Sequence, residues 1–187
     1  MSDLKIQAFD IDGPLLITPQ VYGDDRGFFQ ESWNLIAFNK SLSNHGQIAP
    51  QFLQDNHSSS CRGVLRGLHM QVYPCPQAKL VRCVVGEIFD VAVDLRPESS
   101  SYGKWVGVHL SADNHQQFWI PEGFAHGFLT LSTRADVLYK TNNYWSKESE
   151  RSFRWNDPTL AIGWPLQNLG DLQPILSAKD EVAPFLL

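Results

Sequence analysis

Through the middle of the chain, apolar and polar positions alternate with a short period. Phe89, Val91 and Val93 alternate with Asp90, Ala92 and Asp94, the two-residue repeat of a strand with one face buried. They belong to KLVRCVVGEIFDVAVDL, Lys79 to Leu95, which is rich in Val, Ile and Phe and breaks at Gly86-Glu87. That run predicts two strands joined by a tight turn. Trp105–Leu110 and Gln117–Ile120 flank Ser111-Ala112-Asp113-Asn114, a loop of turn-forming residues. Gly127–Leu131 and Asp136–Lys140 repeat the arrangement about Ser132-Thr133-Arg134. Strands of about six residues with a turn roughly every ten indicate an all-β sandwich or barrel. Helical spacing is confined to Ser32 to about Ser41, where Trp33, Ile36, Ala37 and Lys40 fall at helical intervals without Gly or Pro. From Asp157 the tail is loop-rich, with one helical turn expected near Ser177–Glu181.

The 187 residues show no repeat, linker or low-complexity tract, so one domain over 1–187 is expected. Hydrophobic residues make up 43% and charged residues 19%, an ordinary globular balance. A net charge of −5 argues against a general nucleic-acid surface, which needs clustered cations. No apolar run is long enough for a membrane span, and the N-terminal residues lack a signal-peptide core. Cys61, Cys75 and Cys83 are an odd number without C-x-x-C, which disfavours a disulfide framework or a cysteine–zinc site. A soluble cytoplasmic protein is expected.

Several constellations can carry chemistry. VLRGLHMQ places Arg66 three residues before His69. On a regular strand these side chains point to opposite faces, so a bend at Gly67 is required to bring them together. For a lone histidine, hydrogen bonding at a sheet edge is the favoured reading of His69. Arg66, Lys79 and Arg82 form a basic concentration in an acidic chain, suited to an anion or to a solvated face. PEGFAHGF holds His126 among glycines and aromatics, with even odds between function and packing. Gln54-Asp55-Asn56-His57-Ser58 is a polar run that reads as a solvent loop, although its amides suit sugar hydroxyls and phosphate oxygens. In GDDRGFFQE, Arg26 can simply pair with Asp24 or Asp25, and Tyr139-Lys140 and Tyr144-Trp145 read as core before site.

Gly63, five intervening residues and His69 match the start of a cupin metal motif, and Pro121-x-Gly123-x-x-His126 matches its second element. The next ligand position is Gln71, however, and Pro74, Cys75 and Pro76 stand where a glutamate belongs. Two ligands do not hold a divalent ion that needs three or four. The expected fold is therefore a metal-free, cupin-type β-jelly roll (a double-stranded β-helix) with short peripheral helices.

Taken in order, GDDRGFFQES, FLQDNHS, VLRGLH, QAKLVR, GEIFDVAVDLR, WIPEGFAHGF, LYKTNNYW, WNDPTLAIGWP and LSAKD resemble the dTDP-4-dehydrorhamnose 3,5-epimerase family over nearly the whole chain. The resemblance implies a homodimer of jelly rolls with no cofactor. It implies inversion at C3 and C5 of dTDP-4-dehydro-6-deoxy-D-glucose, on the route to dTDP-L-rhamnose. It assigns His69 as the base, Asp180 as the acid that orients it, and Tyr139 as the proton donor on the opposite face. Substrate-binding positions by the same resemblance are Arg26, Glu31, Gln54, Asp55, Asn56, Arg66, Lys79, His126, Glu150 and Lys179. Trp145 stands where the family carries a thymine-stacking tyrosine, and an indole stacks as well.

These residue types suit the reaction. Removing a proton beside the C4 ketone gives an enolate, which needs a base on one face, a cation at the oxygen and an acid on the other face. Within the same class, the alternatives are a C3-only epimerase and a 3,4-ketoisomerase. A non-catalytic sugar-nucleotide-binding cupin is the alternative from another class, and it is disfavoured because His69, Asp180 and Tyr139 are all present.

Overall fold

The structure is a computed structural model that describes residues 4–186. Strands β1 (Lys5–Ala8), β2 (Leu15–Thr18), β10 (Gln117–Ile120), β7 (Lys79–Val85), β12 (Arg134–Thr141) and β5 (Gln54–Cys61) form a six-stranded antiparallel sheet in the spatial order β1-β2-β10-β7-β12-β5. A five-stranded sheet follows the order β13-β6-β11-β8-β9, from Glu150–Ser152, Leu65–Gln71, Phe124–Thr130, Glu87–Asp94 and Trp105–Ser111. A separate hairpin pairs β3 (Val21–Asp24) with β4 (Gly27–Gln30). The two large sheets pack face to face in a cupin-like β-sandwich, with Val81, Phe118 and Val137 of one sheet meeting Ile88, Ala92, Val108 and Phe128 of the other.

Each outer face is covered too. Helix α1 (Leu35–Asn44) lays Phe38 and Leu42 against Leu15, Ile17, Leu80 and Trp119 of the six-stranded sheet. The C-terminal segment lays Leu160, Trp164 and Leu169 on Leu65, Phe89, Val91 and Val93 of the five-stranded one.

The turn at Gly86 joins β7 to β8 as expected, with φ +73° at the glycine. Three expectations change. Strand β8 is buried on both faces: its apolar alternates meet the C-terminal layer, while Asp90 and Asp94, both fully buried, lie on the other face. The polar run after Leu53 is an edge strand, β5, in register with β12 from Gln54↔Thr141 to Cys61↔Arg134. Its polarity reflects a cavity on one side and solvent on the other. The helix starts at Leu35 rather than Ser32, because the Asn34 side chain accepts from the N–H groups of Ile36 and Ala37 and caps it. Trp33 lies outside the helix and packs on Phe38 and Phe52.

Candidate active site

The register of β6 explains how Arg66 and His69 come to share a face. His69 pairs with His126, but Phe128 pairs with Arg66, so one extra residue is inserted at Gly67-Leu68. This bulge resets the alternation. Gly67 has φ +118°, and a Cβ there would lie 2.6 Å from Gly127 Cα and 2.7 Å from the His126 carbonyl oxygen. Only glycine fits that approach.

His69 Nε2 lies 2.5 Å from Asp180 Oδ1. Because a carboxylate only accepts, Nε2 carries the proton and Nδ1 is left as the basic atom. Asp180 is buried at the start of the short helix α2 (Ala178–Glu181). The Ser177 hydroxyl donates to its Oδ2 at 2.9 Å and accepts from its backbone N–H at 3.2 Å. Burial works to raise the Asp180 pKa, yet bonds from His69, Ser177 and the Gly67 N–H outweigh it and hold the carboxyl below the usual range.

A second chain of contacts runs from Lys79 on β7 to His126 on β11. Lys79 Nζ lies 3.3 Å from the His69 carbonyl oxygen and 3.4 Å from His126 Nδ1, and His126 Nε2 lies 2.8 Å from Asp90 Oδ1. The ammonium donates to Nδ1, so the His126 proton sits on Nε2 and points at Asp90. Burial lowers the Lys79 pKa to about 8 against the pull of Asp90 and Glu150. Burial likewise pushes the His126 pKa down, with the Lys79 charge adding to it and Asp90 opposing it. His126 is a neutral donor-acceptor relay beside a cation.

Tyr139 stands on β12, in the other sheet from His69. Burial raises its pKa, against the charge of Arg66, so the phenol holds its proton. His69, Lys79, His126, Tyr139, Arg66 and Asp180 all line one cavity of about 400 Å³. Ser58, Phe128, Leu176 and Ser177 complete much of its wall.

The other expected residues lie elsewhere. Gln54 and Asn56 are bonded to each other at 2.9 Å, and Asn56 is directly opposite Tyr139 in the sheet. Asp55 pairs with Lys140 at 3.0 Å on the opposite face of that strand. Lys179 and Glu150 form an ion pair at 2.6 Å. Burial raises the Glu150 pKa, but Lys179 and the Trp145 side chain bring it below its ordinary value. Tyr144 and Trp145 are exposed, and the Trp145 N–H donates to Gln54 Oε1. Glu31 accepts from the Asn34 side chain at 2.9 Å, supporting the cap of α1. Arg26 pairs with Asp24 beside a surface depression formed by the β3–β4 hairpin, outside the cavity that His69 lines.

Sequence reasoning missed Asp90 and Ser177. The alternation around Asp90 pointed to a solvent face, and the Ser-x-x-Asp spacing of an N-cap was the available signal for Ser177. The cupin ligand positions are turned to other uses. Both ring nitrogens of His126 face protein partners, and the Gln71 amide is fully bonded to backbone. Among the described residues no group of three or more His, Cys, Asp or Glu is placed to hold a metal ion.

The family model for dTDP-4-dehydrorhamnose 3,5-epimerase matches residues 8–187. The chain belongs to this family. It is 56% identical over 178 residues to the dTDP-4-dehydrorhamnose 3,5-epimerase of Escherichia coli K12, covering 95% of this chain and 92% of that one. The enzyme of the same name from Shigella flexneri is 54% identical over 180 residues, with 96% and 93% covered. A crystal structure of the dTDP-6-deoxy-D-glucose-3,5-epimerase from Legionella pneumophila in complex with dTDP-4-keto-L-rhamnose is similar at a TM-score of 0.90. It shares 49% identity, with 97% of this chain and 92% of that one covered. The cavity of this 3,5-epimerase family member is thus built from two sheets that each contribute ionisable groups.

Proposed function

We propose that the cavity inverts C3 and C5 of dTDP-4-dehydro-6-deoxy-D-glucose, giving dTDP-4-dehydro-L-rhamnose, with His69 as base and Tyr139 as acid. The observation that carries this reading is that His69 and Tyr139 line one cavity from different sheets. His69 Nδ1 takes the proton beside the ketone, and the C–H electron pair moves to the C4 oxygen. Charged Lys79 stabilises that oxygen, with His126 at its side. Tyr139 gives its proton to the carbon from the other face, which inverts the centre. The imidazolium formed on the way is stabilised by Asp180. His69 then releases its proton to solvent and Tyr139 regains one, so the reaction is a net isomerisation without oxidant or cofactor.

Arg66 is exposed at the cavity, its guanidinium bonded to Ser60 Oγ and the Ser59 carbonyl, where it can grip a diphosphate. Trp145 stacks on the thymine, with Gln54, Asn56, Glu150 and Lys179 around that end, while Asp55 stands on the other face of β5, paired with Lys140. Residues 1–187 act as one domain, and the working unit is a homodimer. The β3–β4 hairpin exposes Phe28 and Phe29, and Arg26 does not line its own cavity. In the dimer the hairpin brings Arg26 and Glu31 to a second copy. No helix among the described residues is long and apolar enough to cross a membrane, and three free cysteines fit a reducing cytoplasm.

The test is turnover in D2O with the downstream reductase present, read by NMR. Deuterium at both C3 and C5 of the product is expected. Deuterium at C3 alone would make the protein a 3-epimerase.

A further inference from the structure

Gln71 occupies the position, two residues beyond His69, where a metal-binding cupin places its next histidine. It is the last residue of β6 and is almost fully buried. Its side chain does not line the cavity. Instead, Nε2 donates to the carbonyl oxygens of Cys75 at 2.7 Å and Tyr144 at 3.2 Å, and Oε1 accepts from the Ser146 N–H at 2.7 Å. Both amide protons and the amide oxygen are engaged.

Two of these three bonds straddle Trp145. One holds the peptide group before it and the other the peptide group after it, while the Trp145 N–H itself is held by Gln54. The side chains of Tyr144 and Trp145 nevertheless stand open to solvent, at 66% and 58% exposure. A segment with few packed side chains has little else to fix it. Neighbouring amides reinforce the same junction: Gln77 donates to the Asn143 carbonyl and Asn143 donates to the Pro76 carbonyl. The loop after β6 and the loop after β12 are thus laced together, with Gln71 reaching into both.

We propose that Gln71 is a positioning residue for the aromatic pair Tyr144–Trp145. It fixes the backbone of the nucleotide-stacking platform relative to the strand that carries His69. This rests on the reading of Trp145 as the stacking residue. A platform fixed before binding avoids the ordering cost of forming it on the ligand. The strand that sets the base then also sets the distance from the base to the nucleotide.

The experiment is calorimetric binding of dTDP to the parent, Gln71→Leu, Gln71→Glu, Trp145→Ala and the double variant Gln71→Leu/Trp145→Ala, with steady-state kinetics on each. Gln71→Glu keeps the acceptor for Ser146 and loses both donors, so it serves if the leucine variant does not fold. Each Gln71 variant is expected to weaken dTDP about ten-fold and to raise KM more than it lowers kcat. In the Trp145→Ala background the Gln71→Leu effect should shrink to about two-fold or less, because the platform is already gone. Parent-like dTDP affinity in a folded Gln71 variant, or an undiminished effect in the Trp145→Ala background, would overturn the tether. Parent-like affinity in Trp145→Ala would instead refute the stacking reading on which it rests.

Discussion

Lys79 offers a quantitative test, because the charge that the proposed reaction uses is one that harms the fold. The fall of its pKa from 10.5 to about 8, at ~1.36 kcal/mol per pH unit, means that the charged form costs the folded state about 3 kcal/mol. Below pH 8 both folded and unfolded chains hold the proton, and the cost is complete. Between about pH 8 and 10.5 the unfolded chain binds a proton that the folded chain lacks, so stability from this group rises with pH.

Lys79→Met keeps a long stem and removes the charge. It also removes the donor to the His69 carbonyl and to His126 Nδ1, a loss of roughly 1 kcal/mol each that does not depend on pH in this way. The variant should therefore be more stable than the parent by about 1 kcal/mol at pH 7. That advantage should fall by about 2 kcal/mol at pH 10. Urea unfolding midpoints from pH 7 to 10, at constant m-value, read the difference directly. Turnover should drop by about 10² to 10³, the scale of losing a group that stabilises an oxyanion. A stability gap between variant and parent that does not change with pH would refute the reasoning, since the desolvated charge would then not exist.

Two further outcomes are expected. Ser177→Gly keeps most of the helix cap but loses the hydroxyl that donates to Asp180 Oδ2, so kcat should fall roughly ten-fold at near-parent Tm while Ser177→Thr restores it; parent-like kcat in the glycine variant would remove Ser177 from the machinery. Arg26→Ala should leave sedimentation unchanged, as a dimer, and raise KM for the nucleotide sugar about ten-fold, whereas a monomeric parent would sink the exchange of hairpins between copies.

Much of the strand layout was legible because turn chemistry is local. Gly86, and the loops at Ser111–Asn114 and Ser132–Arg134, separate strands that the structure contains. The need for a bend at Gly67 was legible too, since Arg66 and His69 are three apart and a strand repeats every two. Strand β5 was not, because a strand with a cavity on one side and water on the other carries no apolar alternation at all. The bond between His69 and Asp180 joins residues 111 positions apart, and no local pattern can announce such a contact. Only the resemblance pointed to it. Asp90 was misread for a more instructive reason: alternation reports that two faces differ, but not which of them is the interior.

That ambiguity has a structural cause. Lys79, Asp90 and His126 are buried, and Tyr139 packs against the apolar cluster between the sheets. Such groups weaken a core unless they are paired, and here Lys79, His126 and Asp90 bond in series. The apolar part of that cluster holds the sheets together, and further cohesion comes from outside. Helix α1 covers one sheet and the C-terminal segment covers the other, each with its own buried cluster. With apolar burial on both outer faces, the inner faces are free to carry ionisable groups around an open cavity. The same C-terminal segment that seals the five-stranded sheet through Trp164 also delivers Ser177 and Asp180 to His69. Trimming that segment should therefore loosen the fold and disorient His69 together, because one stretch of chain provides both an outer apolar layer and the carboxylate that holds His69.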